Sequence, residues 1–399
     1  MRAGFCEVDI TPGSDISLMG YEFRQDQLPA GNLGVNDPLR ARALVLDDGS
    51  GKPVSIVALD LCVLTNSLAR RLRQTVAEKI ETDTSRVILA CSHTHSGPFP
   101  VTAEDVERRG GSLSKFAGSA DTSPDVRYAA ELEQRIVEAV SRAAGLTFPV
   151  TLGLQQASLG LGYNRRVLTD EGVQHCWGPQ ECPELPPGRH PDDTLTVAVL
   201  AQTAGPRKFI LWNHGTHAVT LGKTSRVISA DWPGTACGMI DSQTPGARSL
   251  FLQGASGNTH PWIATQEDPA ALQKVARPAA GMVSLLSEAT ERPAEGDVTI
   301  RSAAETVEFA NRKLDLTAWR IGRLTIAAVP VELFAELSAA LRDRLDGPLM
   351  LATCANGWNG YWAHRQAYQE GGYEVANSPA EPGEGETLIE HVVRLVESC

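Results

Sequence analysis

The sequence predicts an α/β fold in which mixed β-sheets carry flanking helices. Short apolar runs typical of buried strands recur along the chain, and amphipathic helical repeats lie between some of them. Hydrophobic residues make up 42% and charged residues 21% of the 399 residues, which is the composition of a packed globular protein. No long linker divides the chain, so we expect a single domain over residues 1–399.

A βαβ unit near the N-terminus is the clearest local prediction. The apolar runs Val54–Leu59 and Val87–Cys91 are typical of buried strands. Between them, apolar residues recur every four positions from Leu68 to Ile80, with charged residues in the intervening positions. This periodicity predicts an amphipathic helix. Because a helix joins the two strands, they should lie parallel to each other.

Further helices and strands are predicted downstream. Ser123–Ala144 should form a helix, since Ser123 can cap it and Gly145 follows its last turn. We expect another helix to begin at Glu332 and to bury a stripe of leucines. Five more apolar runs predict strands: Leu195–Leu200, Phe209–Trp212, Leu250–Gln253, Leu324–Val329 and Leu349–Thr353.

Two polar segments match neither pattern. Residues 101–120 are rich in glycine and serine and follow a histidine motif, which predicts a lid loop; residues 169–193 are Pro-rich and predict a surface loop. Cys176 and Cys182 lie in the second segment, where nearby histidines would allow a second metal site. The lack of a CxxC pair favours cysteines without a role.

Charge and hydropathy exclude two classes of partner. The chain has 36 basic and 48 acidic residues, a net charge of −12, which argues against nucleic acid. No apolar stretch approaches the roughly 18 residues that stable membrane insertion needs. We see no secretory signal and expect the eight scattered cysteines to be reduced, which together predict a cytoplasmic protein. A small molecule is the expected partner, and a homo-oligomer is left open.

Chemically versatile side chains collect after the predicted strands. Ligands of open α/β sheets bind beyond the carboxyl ends of the strands. Five of the nine histidines lie in three such loops, and a glutamate and a tyrosine follow later strands. The residues concerned are His93, His95, His214, His217, His260, Glu332 and Tyr361.

The His93-Thr94-His95 segment is the strongest indication of a metal site. In an extended chain residues two apart point to the same face, so both imidazoles can reach one ion. Imidazole and carboxylate suit borderline divalent metals, and catalytic zinc typically has three protein ligands. The alternative is that both histidines bond only to backbone groups at a strand end.

The other candidates are less decisive. Either His214 or His217 could be a ligand and the other could orient it. Glu332 suits a metal site or the N-terminus of a helix. Tyr361 and Tyr373 read as packing or substrate contacts.

Three further positions have a structural alternative. Asp60 either orients a metal-binding histidine or closes a turn, and Asp231 should cap a helix. Trp358 and nearby aromatic residues either line an acyl pocket or belong to the core.

The ordered motifs resemble the amidase domain of neutral, non-lysosomal ceramidases. The matching segments run from residue 3 to about residue 380: AGFCEVDITPG, LMGYE, DPLRARALVL, CSHTHSGP, YNRR, THAVTLG, SADWPG, LQGASGN, VPVELF and NGYWAHRQAYQEGGYE. The resemblance implies a ceramidase-like fold with a metal site at the carboxyl ends of strands. It also implies one zinc ion per chain. The chain is too short to add the C-terminal immunoglobulin-like domain of the well-studied enzymes, and His260 stands where we align a serine.

The resemblance assigns a role to each matching position. The implied zinc ligands are His93, His217, Glu332 and Tyr361. His95 becomes a contact to the reacting groups instead of a ligand, while Arg165 of YNRR and Tyr373 match substrate-contacting residues. The implied catalytic residues are thus His95, Arg165 and Tyr373. We expect His214 to contact a metal ligand without binding the ion itself.

The implied chemistry is hydrolysis of a C–N amide bond by metal-activated water. An acidic chain without a leader favours a small N-acyl or peptide-like substrate over a membrane lipid. Cleavage of esters or lactones, or amide-forming condensation, would use the same residues. A competing enzyme class is the amidohydrolase barrel, although its eight regular βα units are not apparent. A metal-binding module without catalysis is the non-enzymatic alternative.

Overall fold

The computed structural model describes residues 1–21, 31–108, 123–178, 192–290, 298–310 and 312–399. The helices are α1 (Asn66–Lys79), α2 (Ala103–Arg108), α3 (Ser123–Gly145), α4 (Asp231–Gln243), α5 (Ala270–Ala289), α6 (Ala335–Arg342), α7 (Arg365–Glu370), α8 (Tyr373–Ala376) and α9 (Glu384–Glu397). The strands of the first half are β1 (Arg2–Asp9), β2 (Arg40–Asp47), β3 (Val54–Leu59), β4 (Val87–Cys91), β5 (Phe148–Ser158), β6 (Gly162–Asn164), β7 (Arg166–Thr169) and β8 (Gly172–His175). Those of the second half are β9 (Thr194–Gln202), β10 (Lys208–His214), β11 (Ala247–Gln253), β12 (Thr259–Pro261), β13 (Ile300–Phe309), β14 (Arg312–Ile321), β15 (Leu324–Ala328), β16 (Glu332–Leu333), β17 (Leu349–Ala352) and β18 (Tyr361–Trp362).

Eight strands form a large mixed sheet in the order β11-β10-β9-β5-β1-β2-β3-β4. Two neighbouring pairs are parallel: β3 with β4, where Leu59 lies opposite Cys91, and β10 with β11, where His214 lies opposite Gln253. The other neighbours in this sheet are antiparallel. The predicted βαβ unit is therefore confirmed, and both of its strands have the predicted bounds.

A second sheet of four strands, in the order β13-β14-β15-β17, packs against the large one. Their shared core contains Ile56 and Leu250 from the large sheet and Trp319, Ile326 and Met350 from the second. The outer faces are covered by helices, with α1, α3, α4 and α5 on the large sheet and α6 and α9 on the second. The predicted α/β class with mixed sheets and flanking helices is confirmed. Two stacked open sheets are not an amidohydrolase barrel, so that alternative was wrong.

The two sheets are joined at strand β4. The amide of Asn356 donates to the carbonyl of Leu89 at 2.8 Å, and the amide of Leu89 donates to the Asn356 side chain at 2.9 Å. At the end of β17, the amide of Thr353 donates to the carbonyl of Gln253 at the end of β11 (2.8 Å). The carboxyl ends of strands from both sheets therefore meet in one region of the molecule.

The helix predicted after Glu332 is confirmed, with Leu337 and Leu341 buried, but Glu332 does not begin it. Glu332 lies in the short strand β16, which pairs in parallel with β18 so that Glu332 faces Tyr361. Helix α6 begins three residues later, where the Asn258 side chain accepts a hydrogen bond from the amide of Ala335. The pairing of β16 with β18, about thirty residues further along the chain, overrides the local helical pattern at Glu332. A pattern read from neighbouring residues cannot show a partner this far away.

The two predicted loops contain regular structure where they are described. Residues 103–108 form α2, and residues 172–175 form β8, which pairs with β7. Cys176 is buried, and its thiol donates to the carbonyl of Gly178, so this cysteine does not lie in a surface loop. Residues 109–120 of the predicted lid, and residues 179–191 with Cys182, lie outside the described residues.

Two aspartates have structural partners. Asp60 forms a buried ion pair with Arg42 at 2.9 Å and accepts from the amide of Arg40, so it does not orient a histidine. Asp231 begins α4, and its carboxylate accepts from the amides of Thr220 and Leu221, which anchors the preceding loop to the helix.

Within the described ranges, no helix combines the length and apolar character needed to cross a bilayer.

Candidate metal centre

Three predicted ligands come together where the strands end. His93 follows β4, His217 follows β10 and Glu332 lies in β16. The Nε2 atom of His93 is 3.2 Å from Oε2 of Glu332, and the potential ligand atoms of all three residues lie within 4.8 Å of one another. All three side chains are buried.

The hydrogen bonds of the two imidazoles determine which nitrogen can bind an ion. Nδ1 of His93 donates to the carbonyl of Cys62 at 2.9 Å, and Nδ1 of His217 donates to the carbonyl of Ser256 at 3.1 Å. When both rings are neutral, each carries its proton on Nδ1 and presents the lone pair of Nε2 towards the cluster. Two such lone pairs beside a carboxylate repel one another unless a cation lies between them. This donor set therefore fits a divalent metal ion.

Electrostatics favour the metal-binding forms of His217 and Glu332 but not of His93. Burial opposes protonation of His93, but the neighbouring Cys354, Cys62 and Glu332 outweigh it and raise the pKa of His93 well above its ordinary value. An ion bound at Nε2 of His93 must therefore displace a proton.

Burial, together with the neighbouring His93 and His95, holds the pKa of His217 well below its ordinary value, so this ring is neutral. Burial opposes ionisation of Glu332, but His93 outweighs it and the pKa of Glu332 is lowered. The Trp358 indole donates to the other oxygen of Glu332 at 2.8 Å and orients the carboxylate.

Tyr361 lies beside this cluster. It is the β18 residue opposite Glu332, and it lines a cavity that His93 and Glu332 also line. Burial and the charge of Glu332 raise the pKa of Tyr361 well above its ordinary value. The guanidinium of Arg165 opposes this effect and donates to the Tyr361 hydroxyl at 3.4 Å.

Arg165 is held behind Tyr361 by a buried network. Its Nε donates to Glu374 at 2.7 Å, its Nη1 lies 2.9 Å from Nε2 of His260, and its Nη2 donates to the carbonyl of Gly257 at 2.8 Å. The described residues that line the cavity do not include Arg165. Its direct contact on the site side is with Tyr361.

A cavity of about 120 Å³ opens beside the cluster. Tyr373, whose side chain is 41% exposed, contributes to its lining and packs against Tyr361 with ring centroids 5.9 Å apart. The described lining residues are Met19, Gly20, Tyr21, Cys62, Val63, His93, His95, Glu332, Trp358, Gly360, Tyr361, Tyr373 and Asn377. Tyr373 and His95 thus both reach the space next to the three ligands.

His95 lies between the cluster and the cavity. Its Nε2 atom is 3.0 Å from Nε2 of His217 and 3.5 Å from Nε2 of His93. Tyr21 packs edge-on against its ring at 5.0 Å. Gly20 has φ +113° and lies so close that an added Cβ would be 2.4 Å from Cγ of His95. Gly20 and Tyr21 therefore shape the position of His95.

The remaining candidates lie outside the ligand cluster. The ring nitrogens of His214 lie 3.0 Å from the Thr216 hydroxyl and 3.4 Å from the Thr194 carbonyl, so His214 holds the loop that carries His217. His260 is buried against Arg165.

Sequence reasoning missed four contributors to the site. These are Gly20, Cys62, the carbonyl of Ser256 and the carboxylate of Glu374. Gly20, Ser256 and Glu374 lie in motifs that we quoted, whereas Cys62 lies in none of them.

The two stacked sheets with helices on both outer faces form the fold of solved ceramidase structures. The chain superimposes on the crystal structure of neutral ceramidase from Pseudomonas aeruginosa with a TM-score of 0.79 and 16% sequence identity, over 99% of this chain and 74% of that one. A ceramidase complexed with C2 gives a TM-score of 0.78 at the same identity and coverage. The resemblance expected from the motifs is confirmed at the level of the fold.

Sequence comparison covers much less of the chain. A stretch of 100 residues, 24% of this chain, is 34% identical to neutral ceramidase 2 of Arabidopsis thaliana. That match spans 12% of the length of the Arabidopsis protein. No family model matches the chain.

Proposed function

We propose that the protein is a zinc-dependent hydrolase that cleaves a C–N amide bond of a small N-acyl or peptide-like substrate. The observation that carries this proposal is the convergence of His93, His217 and Glu332 within 4.8 Å, with both imidazoles oriented by backbone carbonyls. The fold shared with neutral ceramidases supports the reaction class.

The proposed zinc ligands are Nε2 of His93, Nε2 of His217, the Glu332 carboxylate and the Tyr361 hydroxyl, with one ion per chain. Bound zinc lowers the pKa of a coordinated water from about 15.7 towards 7 and polarises a carbonyl oxygen. The Cys62 and Ser256 carbonyls and the Trp358 indole keep the ligand atoms in place before substrate arrives. Arg165 stabilises negative charge on Tyr361.

Two residues facing the cavity serve the substrate. We assign His95 as the group that accepts a proton from the attacking water and returns it to the leaving nitrogen. We assign the Tyr373 hydroxyl as a donor to the oxygen of the carbonyl under attack. Arg165 acts through Tyr361, so we classify it as a positioning residue.

The cavity favours a small, uncharged acyl group. Among its described lining residues, no lysine or arginine is present, and Met19 and Val63 provide apolar surface. Of the residues described in its lining, histidine is the only basic type that an anionic substrate would meet. Esters and lactones of the same size remain the alternative substrates.

Metal content and hydrolysis, measured together, test the proposal. We expect the wild-type protein to hold about one zinc per chain and to cleave short N-acyl amides. Glu332→Ala should lose both properties. Glu308→Ala, which removes an exposed carboxylate paired with Lys313, should retain them. Absence of zinc binding would overturn the proposal, whereas zinc-dependent cleavage of esters or lactones without amide cleavage would favour the alternative reaction.

A further inference from the structure

Cys62 lies beside the metal centre because of the parallel pairing of β3 and β4. Leu59 and Cys91 are opposite each other at the ends of these strands. Cys62 follows β3 by three residues and His93 follows β4 by two, so both chains turn into the same region. The Cys62 sulfur is 3.7 Å from Nδ1 of His93.

The thiol belongs to a second cluster of potential ligands. One ligand atom from each of Cys62, His93 and His95 lies within 4.8 Å of the other two. All three residues are buried, and all three line the cavity. A sulfur and two imidazoles form a softer donor set than the histidines and glutamate of the proposed zinc position.

We propose that Cys62, His93 and His95 form an alternative position for a thiophilic divalent ion such as Cd²⁺. Binding requires the thiol to release its proton to solvent, after which the thiolate binds the ion. Nδ1 of His93 is bonded to the Cys62 carbonyl, so an ion at this position either uses Nε2 or displaces that hydrogen bond. Both positions use the His93 ring, so we expect an ion at one position to compete with an ion at the other.

The alternative position has a consequence for catalysis that rests on the proposed function. An ion bound by Cys62 and His95 withdraws His95 from proton transfer. It also removes His93 from the zinc position. A thiophilic ion should therefore inhibit the enzyme, because it occupies two histidines that the proposed reaction needs.

Titration of the metal-free, reduced protein with Cd²⁺ tests the site directly. A sulfur-to-cadmium charge-transfer band in the ultraviolet should appear and saturate at one ion per chain. The band should be lost in Cys62→Ser and in Cys62→Ala. In these variants we expect Cd²⁺ affinity to fall by at least the roughly 10- to 100-fold that loss of an outer partner of a metal ligand costs.

Cys354→Ser is the matched control. The Cys354 sulfur is 3.5 Å from the same Nδ1 atom of His93, but this residue is neither in the ligand cluster nor among the described lining residues. The control should retain the band. A band that survives both Cys62 substitutions, or that disappears equally in Cys354→Ser, would overturn the proposal.

Glu332→Gln separates this proposal from the proposed function. It should lose zinc while keeping the cadmium band, because Glu332 belongs only to the first position. If Glu332→Gln retains zinc and hydrolysis, the proposed function fails and the Cys62 position stands. If the wild-type protein binds zinc but gives no cadmium band, the Cys62 position fails alone.

Discussion

Gly20 controls the space available to His95. The residue has φ +113°, and its missing side chain leaves room for the His95 ring, which an added Cβ would approach to 2.4 Å. A larger residue must either move the ring or rearrange the LMGYE segment. Because catalytic groups tolerate little displacement, a substitution here should affect turnover more than metal binding.

We expect Gly20→Ala to lower kcat by about 100-fold, the effect typical of a misplacement of about 1 Å, while zinc content stays near one per chain. Steady-state kinetics and metal analysis measure the two effects. Gly160→Ala is the control, since no heavy atom lies within 4 Å of an added Cβ there. Equal activity of the two variants would show that Gly20 does not position His95.

Tyr361 can be tested by removing one oxygen atom. Tyr361→Phe eliminates the hydroxyl that accepts from Arg165 and keeps the ring. Because this hydroxyl is a proposed ligand, its removal should weaken zinc retention against a chelator or reduce turnover, by about 10-fold or more. Tyr368→Phe removes a hydroxyl that bonds to Ser378 and serves as the control. A Tyr361 variant unchanged in both properties would exclude it as a ligand.

At the scale of helices and strands, the side chain of Asn356 contributes to the junction between the two sheets. Asn356 pairs with Leu89 through its backbone amide and its side chain, and its Nδ2 donates to Thr317 at 3.2 Å. This contact satisfies the edge of β4 immediately before the histidine motif. It therefore couples the packing of the second sheet to the position of His93.

Asn356→Ala should leave the buried amide of Leu89 without its side-chain partner, which costs about 1–3 kcal/mol of stability. Urea unfolding followed by circular dichroism measures the loss. Asn36→Ala removes an exposed amide that bonds to Asp37 and should change stability little. If the two variants unfold at the same urea concentration, the junction does not depend on this side chain.

Among the elements, local patterns predicted the strands well and the site only in part. Val54–Leu59 and Val87–Cys91 could be read from the sequence because every side chain in them is buried, which produces an uninterrupted apolar run. Glu332 was misassigned because its strand exists only through the pairing with Tyr361. A two-residue strand has no periodicity of its own, so no local pattern can reveal it.

On the scale of the whole molecule, His175, a largely desolvated histidine, should make the protein sensitive to acid. Burial, followed by the charge of Arg165, lowers the pKa of His175 from 6.5 to about 3. Below pH 6.5 the unfolded chain binds a proton at this histidine that the folded protein does not. Stability is therefore lost as the pH falls from 6.5 towards 3, at up to about 1.4 kcal/mol per pH unit for this group.

His175→Phe should reduce this loss, because phenylalanine does not titrate and can keep the contact with Trp177, whose ring centroid lies 4.2 Å away. Unfolding free energies measured from pH 7 to pH 4 test the expectation. In His391→Phe, which removes a histidine paired with Glu305 outside this network, the wild-type acid sensitivity should remain. If the unfolding free energy falls with pH at the same rate in the wild type and in His175→Phe, the prediction for His175 is contradicted.

By itself, the sequence determined the α/β class, the βαβ unit and the types of residue available for chemistry, because hydrophobic periodicity and residue type are local properties. Only the tertiary structure decided which of them meet. His93 and Glu332 are 239 residues apart and are brought to 3.2 Å by the junction of two sheets. The parallel pairing of β3 and β4, which lie far apart in sequence, places Cys62 beside His93. Contacts between distant segments depend on how whole elements pack, and short-range patterns contain no record of that packing.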